Sequence, residues 1–139
     1  GQKLKDKWAD GPQTYLGLQI AGFPNFLTLV GPHNGATLCN IPRCIEQNVE
    51  WVSELLVHMR SNKLAYVEAA KDAEADWTEH VAEAAARTLF PTADSWFMGV
   101  NRNNPERKPG LLVYAGGVPR YKAKCDEVAA RDYEGFVLK

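Results

Sequence analysis

One polar stretch, Ser95-Trp96-Phe97-Met98-Gly99-Val100-Asn101-Arg102-Asn103-Asn104, gathers an indole, amides and a cation. An indole stacks on a nucleotide ring, its N–H donates a hydrogen bond, and cationic donors bind phosphate through charge-assisted bonds. The stretch lies in a segment from Phe90 to Gly110 bracketed by Pro91, Gly99, Pro105, Pro109 and Gly110. That segment is far longer than the ~4–6 residues of an ordinary connector, which fits a functional loop. A packing role for Trp96 is hard to supply there, so a structural and a functional reading both stand.

A second candidate is Gly31-Pro32-His33-Asn34-Gly35-Ala36-Thr37-Leu38-Cys39-Asn40. A strand entering a Gly-rich turn before a capped helix aims backbone N–H groups and the positive helix end at an anionic or electron-rich ligand edge. A plain strand-to-helix turn explains the same spacing, because no phosphate-loop signature is present. His33, Cys39 and Cys44 match no common zinc spacing, and the odd set Cys39, Cys44 and Cys125 predicts three free thiols in a reducing, cytoplasmic setting. His58 and His80 read as surface or satisfied histidines. Asp72, Glu74, Asp76, Glu79 and Glu83 read as a solvated helix face.

The elements that would position these residues follow from periodicity. Asn25 to Val30 reads as a buried strand ending at Gly31-Pro32. Ile41, Ile45, Val49, Val52, Leu55, Leu56 and Met59 recur at helical spacing as an inner face, with Asn40 as N-cap and Pro42 in the first turn. Tyr66 to Ala69 is a weak strand or extended link. Lys71 to Leu89 predicts a second helix with Ala73, Trp77, Val81, Ala84, Ala85 and Leu89 inward and acidic residues early, where the helix dipole favours them. Leu111 to Ala115 reads as a strand, and Pro119 to Arg131 as a helix with Tyr121, Cys125, Val128 and Ala129 inside. Phe136 to Leu138 reads as an apolar tail. The 139 residues suffice for one core. With 16 Lys and Arg against 17 Asp and Glu, the charge balance names neither nucleic acid nor another charged partner. The longest apolar run is too short to span a bilayer, and no targeting segment is visible.

Taken together, the two loops, Gly11-Pro12-Gln13-Thr14-Tyr15-Leu16-Gly17, Asn25-Phe26-Leu27-Thr28-Leu29-Val30, Ile45-Glu46-Gln47 with Trp51, Tyr121 to Ala130 and Tyr133-Glu134-Gly135-Phe136 resemble the class I Baeyer-Villiger monooxygenases. The resemblance implies an α/β fold, the C-terminal half of the FAD domain of a flavoprotein with two dinucleotide-binding domains. No G-x-G-x-x-G follows a strand, so neither Rossmann fingerprint is present; the resemblance implies that the N-terminal FAD half, the NADPH domain and the family's catalytic arginine lie upstream. Neither Arg43 nor Arg102 is assigned that role.

For a complete enzyme, the resemblance implies reduction of FAD by NADPH and insertion of one oxygen of O2 into a ketone, giving an ester or lactone. Gly31, Pro32, Asn40 and Ile41 would lie along the flavin, and His33, Asn34, Ala36, Thr37 and Leu38 along the substrate pocket. Trp96 would close over the nicotinamide cofactor with help from Asn101. The implied organisation is a flavin and substrate edge over 1–62, a helical part over 63–89, a control loop over 90–110 and a closing strand and helix over 111–139. Such a piece is expected to be inactive alone and to self-associate through apolar surface meant for its missing half. The alternative is a free-standing, non-catalytic binding or oligomerisation module.

Overall fold

The computed structural model describes residues 1–100, 103 and 110–139, with no side-chain description for Thr37 and Leu38. Of the segment expected to be the control loop, residues 101, 102 and 104–109 therefore lie outside the described residues, Asn101 and Arg102 included. Among the described residues, four α-helices and one small sheet follow in chain order: α1 (Leu4–Lys7), α2 (Ile41–Ser61), β1 (Val67–Ala69), α3 (Lys71–Ala86), α4 (Val118–Ala130) and β2 (Phe136–Leu138). The apolar tail is thus a strand, which pairs antiparallel with β1 in the register Val67 to Leu138, Glu68 to Val137 and Ala69 to Phe136.

Helix α2 begins where Asn40 and Pro42 predicted, and Trp51, Leu55 and Met59 enter the core. Of the rest of the expected inner face, Val52 is partly buried against the core and the others are turned outward: Ile41 is 54% exposed, Leu56 51%, and Ile45 and Val49 are exposed as well. The buried face is instead Cys44, Asn48, Trp51, Leu55 and Met59. The apolar arc of α2 is wider than this chain covers, so one edge of it packs here and the other is left unpartnered. In α3, Trp77, Val81 and Ala85 are buried as expected, whereas Leu89 is 83% exposed because the helix stops at Ala86. Tyr121, Cys125 and Val128 of α4 complete the core.

Asn25 to Val30 forms no strand. Leu27 makes one isolated bridge to Gln19, and Phe26 and Leu29 are exposed. Strand propensity needs a neighbouring edge to become a ladder, and within this chain that edge is a single residue long. Leu111 to Ala115 is likewise reduced to one parallel bridge between Val113 and Asn34.

Polar groups brace this irregular layer. Gln19 donates from Nε2 to the Phe23 carbonyl at 2.8 Å and accepts at Oε1 from the Ala69 amide at 2.6 Å. Glu74, expected on a solvated face, is buried: it accepts from Lys7 Nζ at 2.6 Å and from the Ala21 amide at 2.9 Å. A buried carboxylate is tolerated when paired and hydrogen-bonded in this way. Among the described residues, no helix is long and apolar enough to cross a membrane.

Candidate functional site

The loop from Val30 to Ala36 is held in a strained backbone. Val30 has φ +54° and His33 +68°, and Leu16, which faces the loop, has +56°. Left-handed φ costs a β-branched residue most, and such strain persists only where the surroundings over-determine it. Here they do. The Val30 amide donates to Asn48 Oδ1 at 3.1 Å, and Asn34 Nδ2 donates to Asn48 Oδ1 and to Tyr121 Oη, both at 2.7 Å. Tyr121 Oη donates to the Leu16 carbonyl at 2.8 Å, and Asn34 Oδ1 accepts from the Ala36 amide at 2.9 Å. On the other side, Thr14 Oγ1 donates to the Pro32 carbonyl at 3.0 Å.

Backbone proximity is tight as well. A Cβ on Gly35 would lie 2.7–2.9 Å from the Tyr121 side chain. Gly35→Ala should therefore cost about 1–3 kcal/mol through overpacking. A thermal midpoint equal to that of the parent chain would show that the loop does not rest on Tyr121.

His33, Asn34 and Ala36 are buried within this chain at 3%, 3% and 2% exposure. His33 Nε2 donates to the Leu111 carbonyl at 3.0 Å, while Nδ1 is buried without a partner. Burial drives the imidazole pKa down to about 4, against a smaller upward pull from the Leu111 carbonyl. His33 is therefore a neutral group near pH 7, with a bare acceptor at Nδ1.

Asn40 and Ile41 stand at the exposed start of α2, and the Asn40 side chain makes no capping bond to the first-turn amides. A helix of 21 residues thus presents its N-terminal N–H groups beside the strained loop. Cys39 and Cys44 are paired as a disulfide across that turn, which corrects the expectation of three free thiols. The entry into α2 folds Cys39 back over the first helical turn and brings the two Cα atoms to 6.9 Å. Only Cys125 is a free thiol; it is buried, and burial pushes its pKa up to about 12. Among the described residues, no group of three His, Cys, Asp or Glu side chains is arranged for a metal ion.

Trp96 opens a 3-10 turn over Trp96–Met98, is 64% exposed and stacks on Phe97 at 4.5 Å between centroids. One segment ties this turn to the first loop. The Leu112 amide donates to the Phe97 carbonyl at 2.8 Å, the His33 amide donates to the Leu112 carbonyl at 2.9 Å, and the Tyr114 amide donates to the Asn34 carbonyl at 3.2 Å. The two candidate regions of the sequence thus share a backbone scaffold. Asn48, Tyr121 and Thr14 were not among the expected site residues. An Asn centred on a buried helical stripe, three residues from Trp51 and four from Cys44, is the signal for the first. A cleft of about 920 Å³ lies elsewhere, between α3 and α4, floored by Trp77 and Tyr114 and rimmed by Asp72, Asp76, Arg120 and Lys124.

This α/β arrangement is one found within flavin monooxygenases. A closed crystal structure of cyclohexanone monooxygenase matches 100% of this chain with a TM-score of 0.92 and 40% identity, using 25% of its own length. The crystal structure of OTEMO in complex with FAD and NADP matches 99% with a TM-score of 0.89 and 43% identity. In sequence, the chain is homologous along its whole length to Baeyer-Villiger monooxygenases. It is 44% identical over 138 residues to 2-oxo-Delta(3)-4,5,5-trimethylcyclopentenylacetyl-CoA monooxygenase from Pseudomonas putida, and 37% identical over 139 residues to cyclohexanone 1,2-monooxygenase from an Acinetobacter species. The chain spans about a quarter of the length of these curated relatives. No family model matches the sequence.

Proposed function

We propose that this chain works as the C-terminal half of the FAD domain of a longer monooxygenase, which uses FAD and NADPH to insert one oxygen of O2 into a ketone. The single observation that carries this reading is the end-to-end structural match to a quarter of cyclohexanone monooxygenase, at a TM-score of 0.92. In it, Gly31, Pro32, Asn40 and Ile41 border the flavin, where the uncapped amides at the start of α2 suit an electron-rich ring edge. The backbone of His33 to Leu38 forms one wall of the ketone pocket, since His33, Asn34 and Ala36 turn their side chains inward. Trp96 covers the nicotinamide cofactor, and the help expected from Asn101 falls outside the described residues. FAD supplies the redox chemistry; these residues position it, bind the ketone and keep water out.

The upstream FAD half and NADPH domain are the partners of this reading. Their docking surface includes the outward edge of α2, where Ile41, Ile45, Val49 and Leu56 form an exposed stripe at helical spacing. A free-standing binding module would leave that stripe in water without return.

A chimera tests the proposal. Exchanging the matching quarter of cyclohexanone monooxygenase for this chain should yield a yellow protein that oxidises NADPH and converts ketone to ester or lactone. A folded chimera that is colourless after incubation with FAD and desalting would refute the flavin edge.

A further inference from the structure

We infer that Asn48 and Tyr121 are positioning residues that set the shape of the ketone pocket by locking the Val30–Ala36 loop. The inference rests on the flavin monooxygenase reading and deepens it, because the network formed by these two side chains is a device for specificity rather than for flavin chemistry. Four separate parts of the chain converge on it: Leu16, the loop itself, α2 through Asn48 and α4 through Tyr121.

Every donor hydrogen of the three side chains is used. Asn34 Nδ2 gives one hydrogen to Asn48 Oδ1 and the other to Tyr121 Oη, while its Oδ1 takes the Ala36 amide. Asn48 Oδ1 takes the Val30 amide as well, and its Nδ2 donates to Gln47 Oε1 at 2.8 Å and more weakly to Tyr121 Oη at 3.4 Å. Tyr121 Oη spends its one proton on the Leu16 carbonyl. Asn34, Asn48 and Tyr121 are 3%, 0% and 2% exposed. A fully satisfied buried network fixes one geometry, and partial loss leaves buried groups unpaired.

The geometry it fixes is a strained one. Val30 keeps φ +54° with its amide held by Asn48, and His33 keeps +68° next to Asn34. Without Asn48 Oδ1, Val30 can relax to an ordinary φ and carry Gly31 and Pro32 with it. The hydroxyl of Tyr121 fixes how far Asn34 reaches into the core, while its ring, against Gly35, limits approach from the other side. Both residues are buried in the core. Both act through the loop.

The test uses the flavin-loaded longer chain that carries these residues and an unsymmetrical ketone giving two ester regioisomers. Tyr121→Phe keeps the ring and removes the hydroxyl; Asn48→Leu removes both polar atoms; Val81→Ala loosens the core away from the network. Both network variants should retain FAD, raise the KM for ketone roughly tenfold and change the regioisomer ratio, with the KM for NADPH unchanged, since misplacement of bound substrate is costly in this way. Val81→Ala should lower the thermal midpoint and leave KM and ratio alone. Should Asn48→Leu fail to fold, Tyr121→Phe still decides. Tyr121→Phe with a parental KM and ratio would overturn this inference alone, and a parent chain that binds no FAD or oxidises no ketone would overturn it together with the proposed function.

Discussion

Truncating Trp51 to alanine is expected to lower the unfolding free energy of the chain by about 4 kcal/mol, within the range for buried aromatic-to-alanine changes. Trp51 is 3% exposed and lies against Tyr133 at 5.3 Å and Phe136 at 5.7 Å between ring centroids. It is the point at which α2, α4 and β2 meet. Its Nε1 donates to the Cys125 carbonyl of α4 at 2.9 Å, so alanine removes a hydrogen bond along with the packing. Trp51→Phe separates the two contributions. Phenylalanine keeps most of the ring contact and loses the donor, which should cost about 1–2 kcal/mol. Urea unfolding followed by far-UV circular dichroism measures both. An alanine variant within about 1 kcal/mol of the parent would mean that β2 and α4 do not close over α2, since a cavity of that size is never so cheap.

The same residue shows what periodicity can and cannot disclose. The spacing of Ile41 to Met59, which left Trp51 out, placed α2 in the sequence, and α3 and α4 were equally legible, because three-and-four spacing records a buried side whichever body buries it. The record does not say which body. Ile41, Ile45, Val49 and Leu56 carry the same pattern as Leu55 and Met59, yet they face outward, whereas polar Asn48 is fully buried. An apolar residue meant for a surface outside this chain and one meant for its own core look alike in sequence. The strand expected over 25–30 failed for a related reason. Phe26, Leu27 and Leu29 have strand propensity, but only Leu27 finds a partner here. Conversely, Phe136 to Leu138 gave no sign of its pairing with Val67 to Ala69, since ladder partners far apart in sequence leave no local mark.

At the candidate site, the Gly-rich turn before α2 was legible in the sequence, whereas the residues that hold the loop were not, and the cap expected of Asn40 makes no side-chain bond. Tyr121 was assigned inward for its ring, while the function of its hydroxyl depends on Leu16, Asn34 and Asn48 arriving at the same point. Such convergence is a property of the fold alone. Glu74 was hidden by its company: four neighbouring carboxylates made it look solvated, and its burial is explained by partners far away in sequence, Lys7 and the Ala21 amide.

Acidification from pH 7 to pH 4 should destabilise the chain by about 3 kcal/mol through His33 alone, taking 1.36 kcal/mol per pKa unit. The cause is burial: the folded imidazole has its pKa lowered from 6.5 to about 4. Between those values the unfolded chain binds a proton that the folded chain refuses, so unfolding gains as pH falls. The contribution of His33 is complete above the unfolded pKa, is lost through the window below pH 6.5, and levels off below the folded pKa. His33 is 3% exposed, and its protonation would leave an Nδ1–H donor without an acceptor in the core, with solvent unable to screen the charge. His33→Asn isolates the effect, because asparagine tolerates φ +68° and does not titrate. The difference in unfolding free energy between pH 7 and pH 4 should then shrink by about 3 kcal/mol relative to the parent. Identical pH profiles for the two chains would place the His33 ring in water, and with it would go the buried, neutral acceptor assigned to the loop.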